Sequence, residues 1–446
     1  MKKILITICA ILLALTLTNN LTNKDNKETN CPILENSDYD LLDNIEYKNF
    51  EVDRNKYQLK KVVVLSRHNI RSPLSSSGTL NDVTNNDWFD WSSNASELSL
   101  KGGDLETKLG QYFRKYLVDN NLMEENYIPT NDEVRIYANS MQRTISTANY
   151  FSSGMFPIAN IDVEYHMDIG TMDPVFFPAL TFVSDSYAEQ VRKEAKEKFD
   201  FKDLKDNYEK LEEVLDYEES NMKESLEHFN TNDTDLILEL GNEPKASGSL
   251  NVANQAADAL KLQFYEEDDP YVAAFNHDIS INDWLDICEI SDVYGEYLFT
   301  LPSVSINVAH PLLMEISKEL NNENRIFTFL CGHDSNIGSF LSAMDVLDYS
   351  LPKTLERKTP IGSEIVFEVW QDTKTSKEYI SVCIQYQSLS QLKKDTLLDL
   401  NNPPVKYHLS FKDVNENSDG LYLFDDFNLK LNQKINKYDE IVSKYN

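Results

Sequence analysis

Three short apolar runs lack the polar alternation of a half-exposed strand. Lys61-Val62-Val63-Val64-Leu65-Ser66, Val134-Arg135-Ile136-Tyr137-Ala138 and Ile326-Phe327-Thr328-Phe329-Leu330-Cys331 are rich in β-branched and aromatic residues, as expected of strands covered on both faces. Between the first two, Leu105, Leu109, Tyr112, Tyr116 and Leu117 recur at helical spacing and predict a helix near 101–120. From Ala179 to Leu240 the pattern changes. Gly and Pro are absent there, and Leu204, Tyr208, Leu211, Val214, Leu215 and Tyr217 stand among dense Lys, Glu and Asp, which predicts charged helices. Strand patterning returns at Glu364–Trp370 and Tyr379–Tyr386, two runs parted by a polar turn as in a hairpin. A last helix is predicted near 424–442.

Strands that alternate with helices indicate an α/β fold. The expected architecture is a mixed, largely parallel sheet flanked by helices, with an inserted smaller α-rich domain. The α/β domain would be built from residues 44–175 and 301–446, and the α-rich lobe from 176–300. At the N-terminus, Lys2 and Lys3 precede an apolar run from Ile4 to Leu17. This reads as a signal peptide over 1–20, too short to span a bilayer, followed by a flexible lead-in over 21–43. The chain is therefore expected to be periplasmic or secreted, with no stable membrane span after signal cleavage.

Composition narrows the partners. The 446 residues carry a formal net charge of −32. That excess disfavours nucleic acid and anionic lipid as partners. An anionic ligand would need a local cationic pocket that overcomes the global field. The five cysteines show no metal-ligand spacing. Cys331 and Cys383 sit in strand-like runs as small hydrophobes, so neither disulfides nor a metal or other cofactor is expected.

Each of the three buried runs leads directly into polar, catalytically capable residues: Arg67-His68-Asn69-Ile70-Arg71-Ser72-Pro73, Asn139-Ser140-Met141-Gln142-Arg143-Thr144 and Gly332-His333-Asp334-Ser335-Asn336. Open α/β sheets bind ligands beyond the carboxyl ends of their strands. Parallel pairing would bring Arg67, Arg71, Arg143, His68, His333 and Asp334 together. Arg forks match phosphate oxygens and stay charged, a histidine can attack phosphorus, and a carboxylic acid can protonate a leaving oxygen. The set points to phosphoryl transfer. The second His-Asp pair, His277-Asp278, follows no apolar strand and reads as surface.

These tracts resemble the histidine acid phosphatase family, a branch of the histidine phosphatase superfamily, over about Tyr57 to Lys434. Within it they are most similar to bacterial periplasmic glucose-1-phosphatases, through Asn69, Leu74, Gly170-Thr171-Met172-Asp173-Pro174 and Thr359-Pro360-Ile361-Gly362. The resemblance implies an acid phosphatase acting on small phosphomonoesters, glucose-1-phosphate first among them. His68 would form phosphohistidine, and Arg67, Arg71, Arg143 and His333 would bind phosphate. Asp334 would act as the acid, with an acid optimum set by its need for a proton, and Glu243 would contact the sugar. Two departures stand out. The family's paired cysteines are missing from Asn415–Tyr422, and Ser75 stands near a position where bacterial phytases have Lys. The second ranks phytase activity as an alternative below sugar phosphates. A catalytically inactive phospho-ligand binding protein is the rival from another class. A metal-dependent hydrolase is disfavoured by the lack of further clustered His.

Overall fold

The strand at the centre, β1 (Tyr57–Arg67), is buried throughout from Lys61 to Arg67, which explains its unbroken apolar run. The computed structural model describes residues 41–42, 44–75 and 77–446, and the predicted signal peptide and most of the lead-in lie outside them. On one side β1 pairs in parallel with β6 (Phe327–Gly332), β6 with β2 (Val134–Ala138), and β2 with the short β3 (Val163–Glu164). On the other side the sheet turns antiparallel. There β1 pairs with β7 (Glu364–Asp372), β7 with β8 (Glu378–Tyr386), and β8 with both β9 (Val405–His408) and β10 (Tyr422–Leu423). The sheet is thus mixed, as expected, and its parallel half carries the three loops. The β7–β8 hairpin follows the predicted turn.

Helices cover both faces. On one face, α1 (Leu100–Asp119) and α2 (Gln142–Met155) bury Leu109, Phe113 and Phe151 against Val62, Val64, Phe327 and Phe329. The Phe151 and Phe329 rings stack 4.0 Å apart. The opposite face of β1, with Val63 and Leu65, meets apolar residues of α7 (Pro302–Leu320), α8 (Asp334–Ala343) and the C-terminal α9 (Phe424–Tyr445) in one continuous cluster. The predicted helix at 101–120 is α1, and that at 424–442 is α9.

The middle of the chain supplies α3 (Asp185–Lys198), α4 (Lys205–Val214), α5 (Ser249–Glu266) and α6 (Ile281–Phe299). Their apolar faces belong to the same cluster as Val63 and Leu65. A two-stranded hairpin of β4 (Asp235–Ile237) and β5 (Lys245–Ser247) interrupts them. Three residues per strand are too few to show a period, so the hydrophobic pattern did not foresee it. Among the described residues no helix is long and apolar enough to cross a membrane. Cys288, Cys331 and Cys383 are buried and free.

The α1–α2 contact depends on glycine. A Cβ on Gly154 would lie 2.1 Å from the Thr107 carbonyl oxygen, and one on Gly110 would lie 2.2 Å from that of Phe151. Backbone cannot yield as a side-chain tip can. Gly154→Ala is expected to cost about 1–3 kcal/mol by forced separation of the helices, measured by urea unfolding.

Candidate active site

Parallel register brings the three loops to one edge. Arg67 stands opposite Gly332, and Ala138 opposite Cys331, so β1, β6 and β2 end together. The antiparallel neighbour adds a fourth loop, because Ser66 pairs with Glu364 at the start of β7. The Arg67 amide donates to the Ser363 carbonyl (2.9 Å), and the Gly362 amide donates to that of His68 (3.2 Å).

His68 is 3% exposed and its ring packs edge-on to His333, with centroids 5.5 Å apart. Its Nδ1 lies 2.9 Å from the Asn69 carbonyl oxygen. A carbonyl only accepts, so Nδ1 carries the proton and Nε2 keeps its lone pair. Burial first, then Arg143, Arg71, His333 and Arg67, hold the His68 pKa well below the usual imidazole range. The ring is neutral, the form a nucleophile needs. His333 is likewise held neutral by burial and the same arginines. The Asn139 side-chain amide donates to its Nε2 (2.7 Å), which leaves the proton on Nδ1. Asn139 is itself held, its Oδ1 accepting from the Asp173 amide (2.8 Å).

Two of the arginines are ends of a buried chain of alternating charge. Arg67 meets Glu356 at 2.7 Å, Glu356 meets Lys261 at 3.0 Å, Lys261 meets Asp258 at 3.4 Å, and Asp258 meets Arg71 at 3.1 Å. Glu356 also accepts from Tyr265 and from the Ile361 amide. Burial works against both central carboxylates. Arg67 and Lys261 still hold Glu356 below its ordinary pKa, and Arg71 and Lys261 do so for Asp258. All five groups are therefore charged. Arg143 differs. Among the described residues no carboxylate lies within ion-pair distance of it, and burial, then Arg71, lower its pKa to about 10. The Nε of each of the three arginines is buried without a hydrogen-bond partner, so donors remain for an anion.

Asp334 opens α8. Its Oδ2 lies 3.3 Å from an Arg67 nitrogen, and its Oδ1 accepts from the Ser335 amide (2.8 Å). Burial raises its pKa, but Arg67 and the Ser335 amide outweigh that and the net shift is downward. Beside Arg67, Asp334 is held toward the carboxylate in the ligand-free protein, so the proton expected of it as an acid has to come with the substrate. Glu243, in the turn between β4 and β5, has its pKa pushed up to about 7 by burial and by Asp334, against the pull of Arg143 and Lys245.

His68, Arg71, Arg143, His333, Asp334 and Glu243 all line one cavity of about 810 Å³. Of the seven residues singled out from the sequence, only Arg67 does not line it. It lies beneath, 1% exposed, and reaches Asp334 from below. The far wall comes from α5 and α6, through Asp258, Lys261 and Tyr294 among others.

A neutral buried imidazole with a free nitrogen, facing cations and a carboxylate, can transfer a phosphoryl group through nitrogen without a metal. Such equipment at the edge of an α/β sheet defines a phosphomonoester hydrolase of the histidine phosphatase type. The chain belongs to the histidine phosphatase superfamily (branch 2), whose sequence profile matches residues 58–385. It is 36% identical to a glucose-1-phosphatase of Providencia rettgeri, over 83% of this chain and 90% of that protein. A glucose-1-phosphatase of Salmonella typhimurium is 34% identical, over 84% and 92%. Among solved structures, the fold matches the apo form of a Hafnia alvei phytase with a TM-score of 0.78 at 24% identity, over 85% of this chain and 97% of that one.

Asp258, Lys261 and Glu356 were missed in the sequence. Two signals were available for the first pair. They are spaced i,i+3, so they share a helix face, and they interrupt the run Ala256-Ala257-Asp258-Ala259-Leu260-Lys261-Leu262, whose apolar residues are all buried. Charges in an apolar helix call for partners. Glu356 lies in an irregular loop with no period to expose it. Replacing Lys261 leaves two buried carboxylates facing each other. Lys261→Met is expected to destabilise the protein by about 3–5 kcal/mol and to weaken inhibition by inorganic phosphate. Lys261→Arg should lose much less on both, as read by urea unfolding and phosphate inhibition.

Proposed function

We propose that the protein hydrolyses small phosphomonoesters through a phosphohistidine at His68, with glucose-1-phosphate as the favoured substrate. The carrying observation is the free Nε2 of a neutral His68 in the same cavity as Arg143, a buried guanidinium with no carboxylate within ion-pair distance among the described residues. The phosphoryl group sits among Arg71, Arg143 and His333, above Arg67. The Nε2 lone pair attacks phosphorus, the ester P–O bond breaks, and the leaving oxygen takes a proton from Asp334. Water then attacks phosphorus, gives a proton to the Asp334 carboxylate and releases phosphate, which restores His68.

Asp334 acquires its proton with the substrate. A phosphate dianion beside Arg67 and Arg71 cancels much of the field that keeps Asp334 ionised. A monoester monoanion brings one proton, which can settle on that carboxylate. The second ionisation of a phosphomonoester lies near pH 6, so kcat/KM should fall as pH rises through about 6. The acid preference then belongs to the enzyme–substrate pair.

Charge also supports a small ester over an inositol polyphosphate. Arg67 and Arg71 are already matched by Glu356 and Asp258, and Asp334, Glu243, Asp292, Glu296 and Asp348 share the cavity walls. With Lys198, Lys245, Lys261 and Lys358 counted beside Arg71 and Arg143, the lining holds six basic against seven acidic side chains, a balance that suits one phosphate better than several. Glu243, in the wall beside Arg143, is the group placed to receive a sugar hydroxyl. Export to the periplasm or medium follows from the leader pattern at 1–20.

His68→Ala is expected to abolish release of phosphate from p-nitrophenyl phosphate. Asp334→Asn should lose about 10²–10⁴-fold on glucose-1-phosphate and far less on p-nitrophenyl phosphate, whose leaving group needs no proton. Wild-type turnover by His68→Ala would end the reading, and faster turnover of phytate than of glucose-1-phosphate would replace the substrate.

A further inference from the structure

Behind His68, on the α1 side of the sheet, two carboxyl groups are buried with no cation within ion-pair distance among the described residues; Lys406 on β9, across from Gln385, is taken up by Glu368. Glu106 comes from the inner face of α1, one turn from Leu109, and Glu364 from the first position of β7, on the same face as Val366. Both are 0% exposed. Each has one oxygen with a neutral donor. Asn69 Nδ2 donates to Glu106 Oε2 at 2.9 Å, and Gln385 Nε2 donates to Glu364 Oε2 at 3.2 Å. The Oε1 of each has no partner at all.

An ionised carboxylate in such a place would carry a large desolvation cost, which a proton removes. Burial pushes the Glu106 pKa up to about 8. Burial and then Glu106 push that of Glu364 well above the carboxylate range. The neighbouring ionisable groups do not supply the missing counter-ion. Cys331 on β6 is a buried neutral thiol, and Tyr112 on α1 is a neutral phenol held above its ordinary pKa. Arg143 on α2 acts on Cys331 but lines the cavity on the other side of Asn69.

Glu106 reaches the reacting histidine through Asn69. Its side chain is held at both ends, with Nδ2 on Glu106 and Oδ1 accepting from the Ile70 amide at 2.9 Å. Its own amide donates to Thr147 Oγ1 at 3.2 Å. Gly362, in the left-handed region, leaves just the room required, since a Cβ there would lie 2.6 Å from Asn69 Nδ2. The peptide fixed in this way carries the carbonyl that holds His68 Nδ1.

We propose that Glu106, with the buried Glu364 as its proton-holding neighbour, is a positioning residue that locks Asn69 and through its carbonyl the tautomer and direction of the His68 ring. The proposal rests on His68 being the nucleophile. Neither glutamate touches substrate. The pair is neutral at acid pH, where such a phosphatase works. The folded protein binds more protons than the unfolded chain between the ordinary glutamate pKa and about 8, so stability falls as pH rises across that window.

Glu106→Gln copies the protonated state, since the amide oxygen still accepts from Asn69 and no charge can form. Melting temperature of the ligand-free protein, measured from pH 5 to 8, is expected to decline less steeply in Glu106→Gln than in wild type. Parallel curves would overturn the proposal, and this readout needs no activity. On p-nitrophenyl phosphate at pH 5, Glu106→Leu should lose at least about tenfold in kcat with KM within about threefold, as expected when an interaction made in the transition state is lost. Glu106→Gln should restore most of that loss. Equal kcat in the Leu and Gln variants would overturn the positioning role. If Glu106→Leu does not fold, the melting comparison with Glu106→Gln decides alone. Failure of the nucleophile reading would appear separately, as turnover by His68→Ala.

Discussion

Arg67 and Arg71 can be buried side by side because Glu356, Lys261 and Asp258 alternate in charge between them. Like charges in a dry pocket would otherwise expel one another or lose their protons. The chain of five fixes both guanidinium groups before any ligand arrives and cancels their mutual repulsion. It leaves out Arg143, which among the described residues has no carboxylate within ion-pair distance. Preorganised charge of this kind costs no reorganisation when negative charge develops on a phosphoryl group. The same chain ties the two parts of the sequence together, since Arg67 and Glu356 lie on the sheet edge and Lys261 and Asp258 on a helix from the middle of the chain.

Protons are distributed to match. Burial, with the arginines' field added, keeps His68 and His333 neutral, and Arg67 holds Asp334 toward its ionised form. In the proposed reaction the nucleophile is held neutral by the protein itself, whereas the acid acquires its proton with the substrate. Deeper in the molecule the logic reverses. Among the described residues Glu106 and Glu364 have no cation within ion-pair distance and hold protons instead, and the Asn69–Glu106 hydrogen bond steadies the loop that carries His68. A chain of net charge −32 coexists with phosphate chemistry because Arg67, Arg71 and Arg143 converge on one site.

The parts legible in the sequence are those with a period or a motif. Unbroken apolar runs marked β1, β2 and β6, and helical spacing marked α1. The residues directly after each strand proved to share one edge, because a parallel register leaves them nowhere else to go. The hairpin β4–β5 was too short to register as a pattern. Asp258, Lys261 and Glu356 escaped notice because their meaning is relational: a buried charge declares itself only when its partner, far along the chain, is beside it. The charge state of Asp334 in the ligand-free protein was not legible for a similar reason. Residue type gives an ordinary pKa, and the field of Arg67 moves it. Glu106 looked like one more polar position on an amphipathic helix, and only its complete burial separates it from the others.

The central claim is that phosphate passes through His68. The most direct measurement is to quench the enzyme with alkali during turnover of a phosphomonoester and map the modified peptide by mass spectrometry. A phosphoramidate is stable to alkali and labile to acid. The account predicts one such adduct, on the peptide containing His68. A phosphoryl group on any other residue, or steady turnover with no adduct at all under conditions that slow the second step, would contradict it.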